Sequence, residues 1–482
     1  MANIQGVSEV YVPETKILNV GSDIAFPVSP ANFPTTQLRY RNQRWATKIG
    51  LAGLSEKDWL AAFGRFEPLP GNLQKPLALA YHGHQFGVYN PEIGDGRGFL
   101  YAQMRDDAGR LLDLGTKGSG RTPFSRSGDG RLTLKGGVRE ALATSMLEAL
   151  GVYTSKTLSL IETGEALERN DEPSPTRSAV LVRLQHSHIR FGTFQRLAYL
   201  DDREGIEALV RYCIECYFPT AAREDLDDAA AALLTEVVAA TASLAASWMI
   251  AGFVHGVLNT DNMVVTGESF DYGPYRFLPT SDPNFVAAYF DSEGLYRFGR
   301  QPTRALWNLQ QLAGCLTLVC APEKLEPVLQ TYTAAYAAAF RSRIFERLGV
   351  ARTNIDDDTS FMQDLFSWMT KSQIGWSQLF FDWFCGPASA ARATSSPAAA
   401  LYEDSSFSSL KAGLMRRTPI RPERLDDEHF QHERPQTLEI DEIEAIWAAI
   451  DTNDDWSAFE SKLDAIDAAR TAFGLTPKPF PE

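Results

Sequence analysis

His255-Gly-Val-Leu-Asn-Thr-Asp261-Asn262-Met-Val-Val265, with Asp271-Tyr-Gly-Pro274 close behind, is the stretch on which the reading of this chain turns. An apolar helical segment leads into it. The loop carries a His and, seven residues on, an Asn; a short strand and an Asp-aromatic-Gly follow. Asn262 and Asp271 offer the side-chain oxygens that suit Mg²⁺, which takes few protein ligands and completes its shell with phosphates and water. An Asn/Asp-rich turn after a helix accounts for the loop alone, but not for its companion Asp-Tyr-Gly.

Upstream, Gly94-Asp-Gly96-Arg97-Gly98 precedes one candidate strand and Gly115-Thr-Lys117-Gly-Ser-Gly-Arg121 ends another. Glycines let the backbone approach a phosphate, with N–H groups and Lys117 supplying positive charge. Neither piece is a Walker A loop or a dinucleotide fingerprint, and hairpin glycines explain each piece equally well alone. Lys117 in a strand with Glu140 in the next helix is more telling. A lysine that grips phosphates needs a carboxylate to hold it, as in the strand-lysine to helix-glutamate pair of protein kinases; taken alone, Glu140 reads as a helix-surface acid. Arg183 and Arg190 form a second basic pair. Two guanidinium forks in one cleft suit a polyphosphate, while edge-strand surface arginines are the equal alternative.

The order of the 255–274 stretch is also that of a kinase catalytic loop followed by its metal-binding Asp. Yet two positions after the His, where a kinase keeps its catalytic Asp, stands Val257. An aliphatic side chain accepts no proton, so Asp261 is the nearest carboxylate able to act as base. His186 and His188 read as packing residues. Cys213 and Cys216, a lone CxxC within a helical run, read as buried thiols. His429 and His432 receive no role.

At 482 residues the chain exceeds one hydrophobic core, and two lobes are expected. Residues 75–200 are rich in glycine and β-formers: GFLYAQMRD, RLLDLGTKG and SAVLVRLQHSHIRFG read as strands, and the run from Leu134 to Leu150 as a helix. Most of the pattern from Ile206 onward is helical, and the small-residue stretch 386–406 reads as a flexible loop. The fold class is therefore α+β and bilobal, with residues 1–200 as a sheet-containing lobe and 201–482 as a helical lobe. With 46 Lys+Arg against 61 Asp+Glu, the formal charge of −15 disfavours a nucleic-acid partner. The run from Ala229 to Phe253 is long enough to span a bilayer, but it is mostly Ala, Ser and Thr without basic flanks. It is expected to be a buried helix, with no membrane partner. Five cysteines that cannot all pair, and the absence of a leader-like N-terminus, point to the cytoplasm.

YHGHQFGVYNPEIGDGRG (81–98), GTKGSGRTPFSRSGDGR (115–131), KGGVRE (135–140), SHIRFGTFQ (187–195), HGVLNTDNM (255–263), FDYGPY (270–275) and QPTRALWNLQQLA (301–313) together resemble the selenoprotein O (YdiU) family. The resemblance implies a protein-kinase-like fold and transfer of AMP from ATP to Ser, Thr or Tyr hydroxyls of proteins, with the nucleotide flipped relative to a kinase and with Mg²⁺ or Mn²⁺. It also implies possible UMP transfer with manganese. Carried over motif by motif, Gly94, Gly96, Arg97, Lys117, Asp129, Gly130, Arg183 and Arg190 would bind ATP. Asp261 would be the proton acceptor, with Asn262 and Asp271 holding the metal. The chain ends GLTPKPFPE without the family's C-terminal Cys or selenocysteine, so redox control through that residue is expected to be absent. The family's Arg-Asn-containing stretch near the C-terminus finds only a degenerate counterpart in Arg417–Arg424. The alternatives to AMP transfer are a kinase-type phosphotransferase using Asp261 and a catalytically silent nucleotide-binding scaffold.

Overall fold

Strand formation in the first half of the chain follows from apolar side chains on both faces. In β7 (Leu100–Arg105), β8 (Leu111–Lys117) and β11 (Thr176–Gln185) nearly every residue is buried. Neighbouring side chains point to opposite faces, as the two-residue period of a strand requires. Leu111, Leu181 and Leu160 join one core with Val138 and Leu142, whereas Leu112, Val180 and Val182 join another with Trp45, Trp59 and Phe63. The sheet is thus sandwiched, with the helix Leu134–Ala149 on one side and the helices Gln43–Lys48 and Glu56–Phe63 on the other.

The computed structural model describes residues 4–21, 23–170 and 172–477, and shows a mixed α+β chain built on a curled antiparallel sheet. The remaining strands of this sheet are β1 (Val12–Glu14), β2 (Ala25–Pro27), β3 (Gln37–Arg41), β4 (Leu77–Leu79), β9 (Leu132–Thr133) and β10 (Lys156–Leu167). Their order is β2-β4-β7-β8-β11-β10-β3, with β1 beside β7 and β9 beside β11. A separate hairpin, β5 (Gly83–Gln85) and β6 (Val88–Asn90), stands off the sheet. Thr133 caps the helix Leu134–Ala149, its hydroxyl accepting from the Gly136 N–H at 3.2 Å.

Helices dominate after residue 190. The expected buried helix is Leu226–Ala251, capped by the Asp225 carboxylate at its start and by Gly252 at φ 66° at its end, and it lies within the core. The last two helices, Ile440–Asn453 and Ser457–Phe473, return to the sheet side. There Asp454 pairs with Arg177 at 2.7 Å and Arg39 at 3.0 Å, and Lys135 reaches Glu444 at 2.6 Å.

Two local expectations are corrected. The strand read through 178–192 stops at Gln185, and α-helix Phe191–Tyr199 begins beyond it. The backbone N–H and ring Nδ1 of His188 both meet the Asp113 carboxylate, at 2.9 and 3.2 Å, so the chain leaves the ladder there. The 386–406 stretch is not a loop but a string of short helical turns, Gly386–Ser389, Ala390–Thr394 and Ala399–Glu403. Buried Tyr402 anchors it, its hydroxyl donating to Asp382 at 2.7 Å.

Burial also sets the acid limit of stability. It lowers His82 to about 4, His186 to about 3 and His429 to about 4, with nearby arginines reinforcing the effect. Folded pKa values below the unfolded one mean that the unfolded chain binds more protons below about pH 6.5. Protonation of these histidines in the unfolded chain then erodes stability as the pH falls toward their folded pKa values. Urea midpoints are expected to fall between pH 7 and pH 5, and replacing His186 with Phe or Gln should reduce that slope.

Candidate active site

Lys117 closes β8, and its ammonium lies 2.7 Å from Glu140 Oε2 and 2.7 Å from Asp271 Oδ1. One buried cation thus joins the sheet, the helix Leu134–Ala149 and the loop beginning Asp-Tyr-Gly. Arg183, on the neighbouring strand, stands 3.6 Å from Glu140 and 3.7 Å from Asp271, with its Nε and Nη1 buried and without hydrogen-bond partners. Burial alone would raise the Asp271 carboxyl, but Lys117, then Arg183 and Arg190, hold it well below the usual carboxylate range. Asp271 adopts φ 62°, a left-handed conformation that Asp tolerates better than most residues.

The two glycine segments lie one on the other beside this cluster. Gly118 N–H donates to the Arg97 carbonyl at 2.6 Å, and Ser125 Oγ donates to the Gly96 carbonyl at 2.5 Å. A side chain at Gly94 would strike the Phe124 ring at 2.4 Å, and one at Gly98 the Thr116 carbonyl at 2.0 Å. Packing on the Phe124 ring at Gly94 and on the β8 backbone at Gly98 requires these glycines whatever else they do. Gly130, at φ 72°, packs on Gly120, while Asp129 is held by Arg169 at 2.8 Å across the mouth.

These pieces border a cleft of about 780 Å³. Its walls carry six arginines (97, 126, 131, 169, 183 and 190) against the four acids Asp95, Asp129, Glu168 and Asp271. In a chain of formal charge −15, that local excess of cations is the electrostatic setting an anionic ligand would need. Of the sequence-derived candidates, Gly94, Gly96, Arg97, Asp129, Gly130, Arg183, Arg190 and Asp271 line the cleft, and Lys117 stands directly behind Asp271.

Asp261 and Asn262 sit in the short turn Thr260–Asn262 next to it. Asn262 donates its amide to the Val257 carbonyl at 2.9 Å, which leaves the amide oxygen available to a cation. Asp261 is buried; its Oδ1 has no hydrogen-bond partner and its Oδ2 meets Gln85 only at 3.4 Å. Burial pushes its carboxyl up to about 6, against the pull of Arg190. Arg190 braces this turn, donating from Nη1 to the Asp261 carbonyl at 2.7 Å while its guanidinium stacks over Tyr81 and Phe270. His255 ties the two halves of the deciding stretch together, its Nε2 donating to the Phe270 carbonyl at 3.0 Å.

Sequence reasoning missed the β5–β6 hairpin, which lies over the Asp261 turn. His84 N–H donates to Thr260 Oγ1 at 2.7 Å, and Phe86 N–H to Asn259 Oδ1 at 3.1 Å. Gln195 bridges the two, donating to His84 Nδ1 at 2.7 Å and accepting from Thr260 at 2.5 Å. The signal available was Phe86-Gly87 between short β-prone runs, a hairpin turn with no evident destination. Gly83 has no spare room: an added Cβ would lie 2.7 Å from Asp261 Oδ1 and 3.0 Å from its Cβ. Gly83→Ala is expected to cost about 1–3 kcal/mol in stability by overpacking and to depress turnover by displacing Asp261, as thermal melts beside single-turnover rates will show.

The Arg417–Arg424 stretch lies elsewhere. Arg417 pairs with Asp358 at 2.7 Å and Arg424 caps the last helix through the Thr471 carbonyl at 2.6 Å. All five cysteines are free, and residues 478–482 of the cysteine-free C-terminal segment fall outside the described residues.

Comparison with known proteins identifies the family. The family model described as "Protein adenylyltransferase SelO" matches residues 9–467. A Synechocystis protein named "Protein nucleotidyltransferase YdiU" is 51% identical over 343 residues, covering 70% of this chain and 71% of the relative. Proteins of the same name from Gloeobacter violaceus and Trichodesmium erythraeum are 45% and 42% identical, covering 92% and 94% of this chain and 93% and 98% of their own. The chain belongs to the protein adenylyltransferase SelO family and is an enzyme of the nucleotidyltransferase class.

Proposed function

We propose that the protein transfers AMP from ATP to Ser, Thr or Tyr hydroxyls of other proteins, in the cytoplasm, on a bilobal kinase-like framework of residues 1–200 and 201–482. The observation that carries this reading is a single lysine shared by Glu140 and Asp271 in an arginine-rich cleft, with Val257 where a kinase keeps its base and a buried, under-bonded Asp261 nearby. The acceptor oxygen attacks the α-phosphorus, the bond to the β-phosphate bridging oxygen breaks, pyrophosphate leaves, and the hydroxyl proton passes to Asp261. Gly94, Gly96, Arg97, Lys117, Asp129, Gly130, Arg183 and Arg190 hold the nucleotide.

Among the described residues no group of three His, Cys, Asp or Glu gathers to hold a metal by itself. Two oxygens, from Asn262 and Asp271, are what Mg²⁺ or Mn²⁺ needs when phosphates supply the rest, so the donor set fits. Such an ion, when bound, would supply positive charge against the phosphates. UTP with manganese serves as a second donor pair in this reading.

ATP labelled at the α-phosphate should label acceptor protein, whereas ATP labelled at the γ-phosphate should not; label from the γ-position alone would replace this reading with phosphoryl transfer. Lys117→Met should weaken ATP use severely, read as loss of α-label, and should keep the circular dichroism spectrum of a folded chain while lowering its melting temperature, because buried Glu140 loses its cation. Glu140→Ala should also destabilise, by about 3–5 kcal/mol, because it removes one partner of a buried pair.

A further inference from the structure

Resting on the transferase reading above, we propose that an aromatic patch formed by the β5–β6 hairpin and the 286–290 segment docks the acceptor protein. Its expected occupant is an extended segment that places a large apolar side chain and basic residues beside the modified hydroxyl. Among the described residues thirteen large apolar side chains are exposed, and five of them (Phe86, Val88, Val286, Tyr289 and Phe290) fall on these two short segments. Tyr289 is 86% exposed and Phe290 49%. The segments touch: the Phe86 and Phe290 rings are 5.8 Å apart, and those of Tyr289 and Phe290 are 5.1 Å apart. Concentrated exposed aromatics of this kind mark interaction sites, whereas single ones do not.

The patch is fixed to the chemistry. Phe86 at φ 51° and Gly87 at φ 80° make the two-residue turn of the hairpin, which holds an aromatic residue outward in a backbone conformation unfavourable to it. Phe86 N–H is bonded to Asn259 and to the Tyr296 hydroxyl, at 3.1 and 3.0 Å, and the preceding residue, Gln85, both lines the cleft and reaches Asp261. A segment lying on Phe86 and Phe290 is therefore delivered to the side of the cleft where Asp261 waits. The rim sets the charge of that segment. Residues 83–92 and 282–293 carry Glu92, Asp282, Asp291 and Glu293 but no lysine or arginine, and Arg297, which packs near Val286 at Gly294, offsets only part of that charge. Asp291 is occupied by the Leu295 and Tyr296 N–H groups and Asp282 accepts from the Asn284 N–H at 2.8 Å through one oxygen, whereas Glu92 and Glu293 are exposed and open to basic side chains.

The test uses synthetic peptides with one central Ser, Thr or Tyr, flanked by Phe or Leu with Lys, or by Ala with Glu. They are incubated with the full-length protein, Mg²⁺ and α-labelled ATP. The wild type should label the apolar, basic peptides at least about tenfold more efficiently, the scale of one interface hot spot. Tyr289→Ser with Phe290→Ser should erase that preference through KM, leaving kcat and the labelling of the Ala/Glu peptides unchanged. Equal labelling of both peptide classes by the wild type, or an unaltered preference in the double variant, overturns the docking site. A change in the sedimentation of the double variant with no change in peptide kinetics overturns it too, in favour of self-association. If the wild type places no α-label on any peptide or protein, the transferase reading fails first and the docking site with it.

Discussion

Asp271→Ala should leave almost no transfer activity, a loss of about 10³ or more, with the residue demanding far higher Mg²⁺ or Mn²⁺. Asp271 is the one carboxylate of the cleft gripped by Lys117, at 2.7 Å, and flanked by Arg183. Those cations keep it ionised, which is the state a metal ligand between phosphates must have. Loss of such a ligand forfeits several kcal/mol of charge stabilisation, and each 1.36 kcal/mol is a factor of about ten in rate. Because φ at Asp271 is 62°, alanine also strains the turn, so Asp271→Asn is the cleaner companion. It keeps a side chain tolerant of that conformation and removes only the charge. Both variants should bind nucleotide and metal poorly together.

Asp261→Asn should fail differently. In its proposed role as base toward the acceptor hydroxyl it would contribute little to holding ATP, and losing a general base costs about 10²–10⁴ in rate. Its turn should survive the change, because Arg190 grips the Asp261 backbone carbonyl rather than its carboxylate. Calorimetric titration of the two variants with a non-hydrolysable ATP analogue and Mg²⁺ separates the roles. Near-normal affinity in Asp261→Asn beside lost affinity in Asp271→Asn is the expected pair of results. Equal loss in both would make Asp261 a further metal-site residue beside Asn262 and Asp271.

The parts of this site legible in the sequence are those carried by local pattern. Lys117 ends an apolar strand and Glu140 lies in the next helix, so their meeting followed from a single strand-to-helix connection. Asn262 and Asp271 were legible because only eight residues of one short segment separate them. Non-local contacts were not legible. The hairpin at 83–90 meets the Asp261 turn across 176 residues of chain, through hydrogen bonds that no periodicity announces. Arg190 appeared only as a candidate phosphate ligand, and its second task of bracing the turn depends on the fold. The 386–406 stretch looked flexible because Ala and Ser dominate it. Its order comes from Tyr402 and Ser396, which both donate to Asp382, at 2.7 and 2.5 Å, and from the buried Phe407 ring. The closing helices gave no sign that they return to the sheet, since Asp454 finds Arg39 and Arg177 only in three dimensions.

The central claim is that the reaction occurs at the α-phosphorus, and the mass of the modified protein reads this directly. Purified protein, incubated with ATP and Mg²⁺ or Mn²⁺ and analysed intact beside Asp271→Asn, should gain about 329 Da per modified hydroxyl, the mass of AMP added with loss of water, and the variant should gain nothing. A gain of about 80 Da would instead show phosphoryl transfer, and no gain on the protein or on any added acceptor would leave a silent nucleotide-binding scaffold.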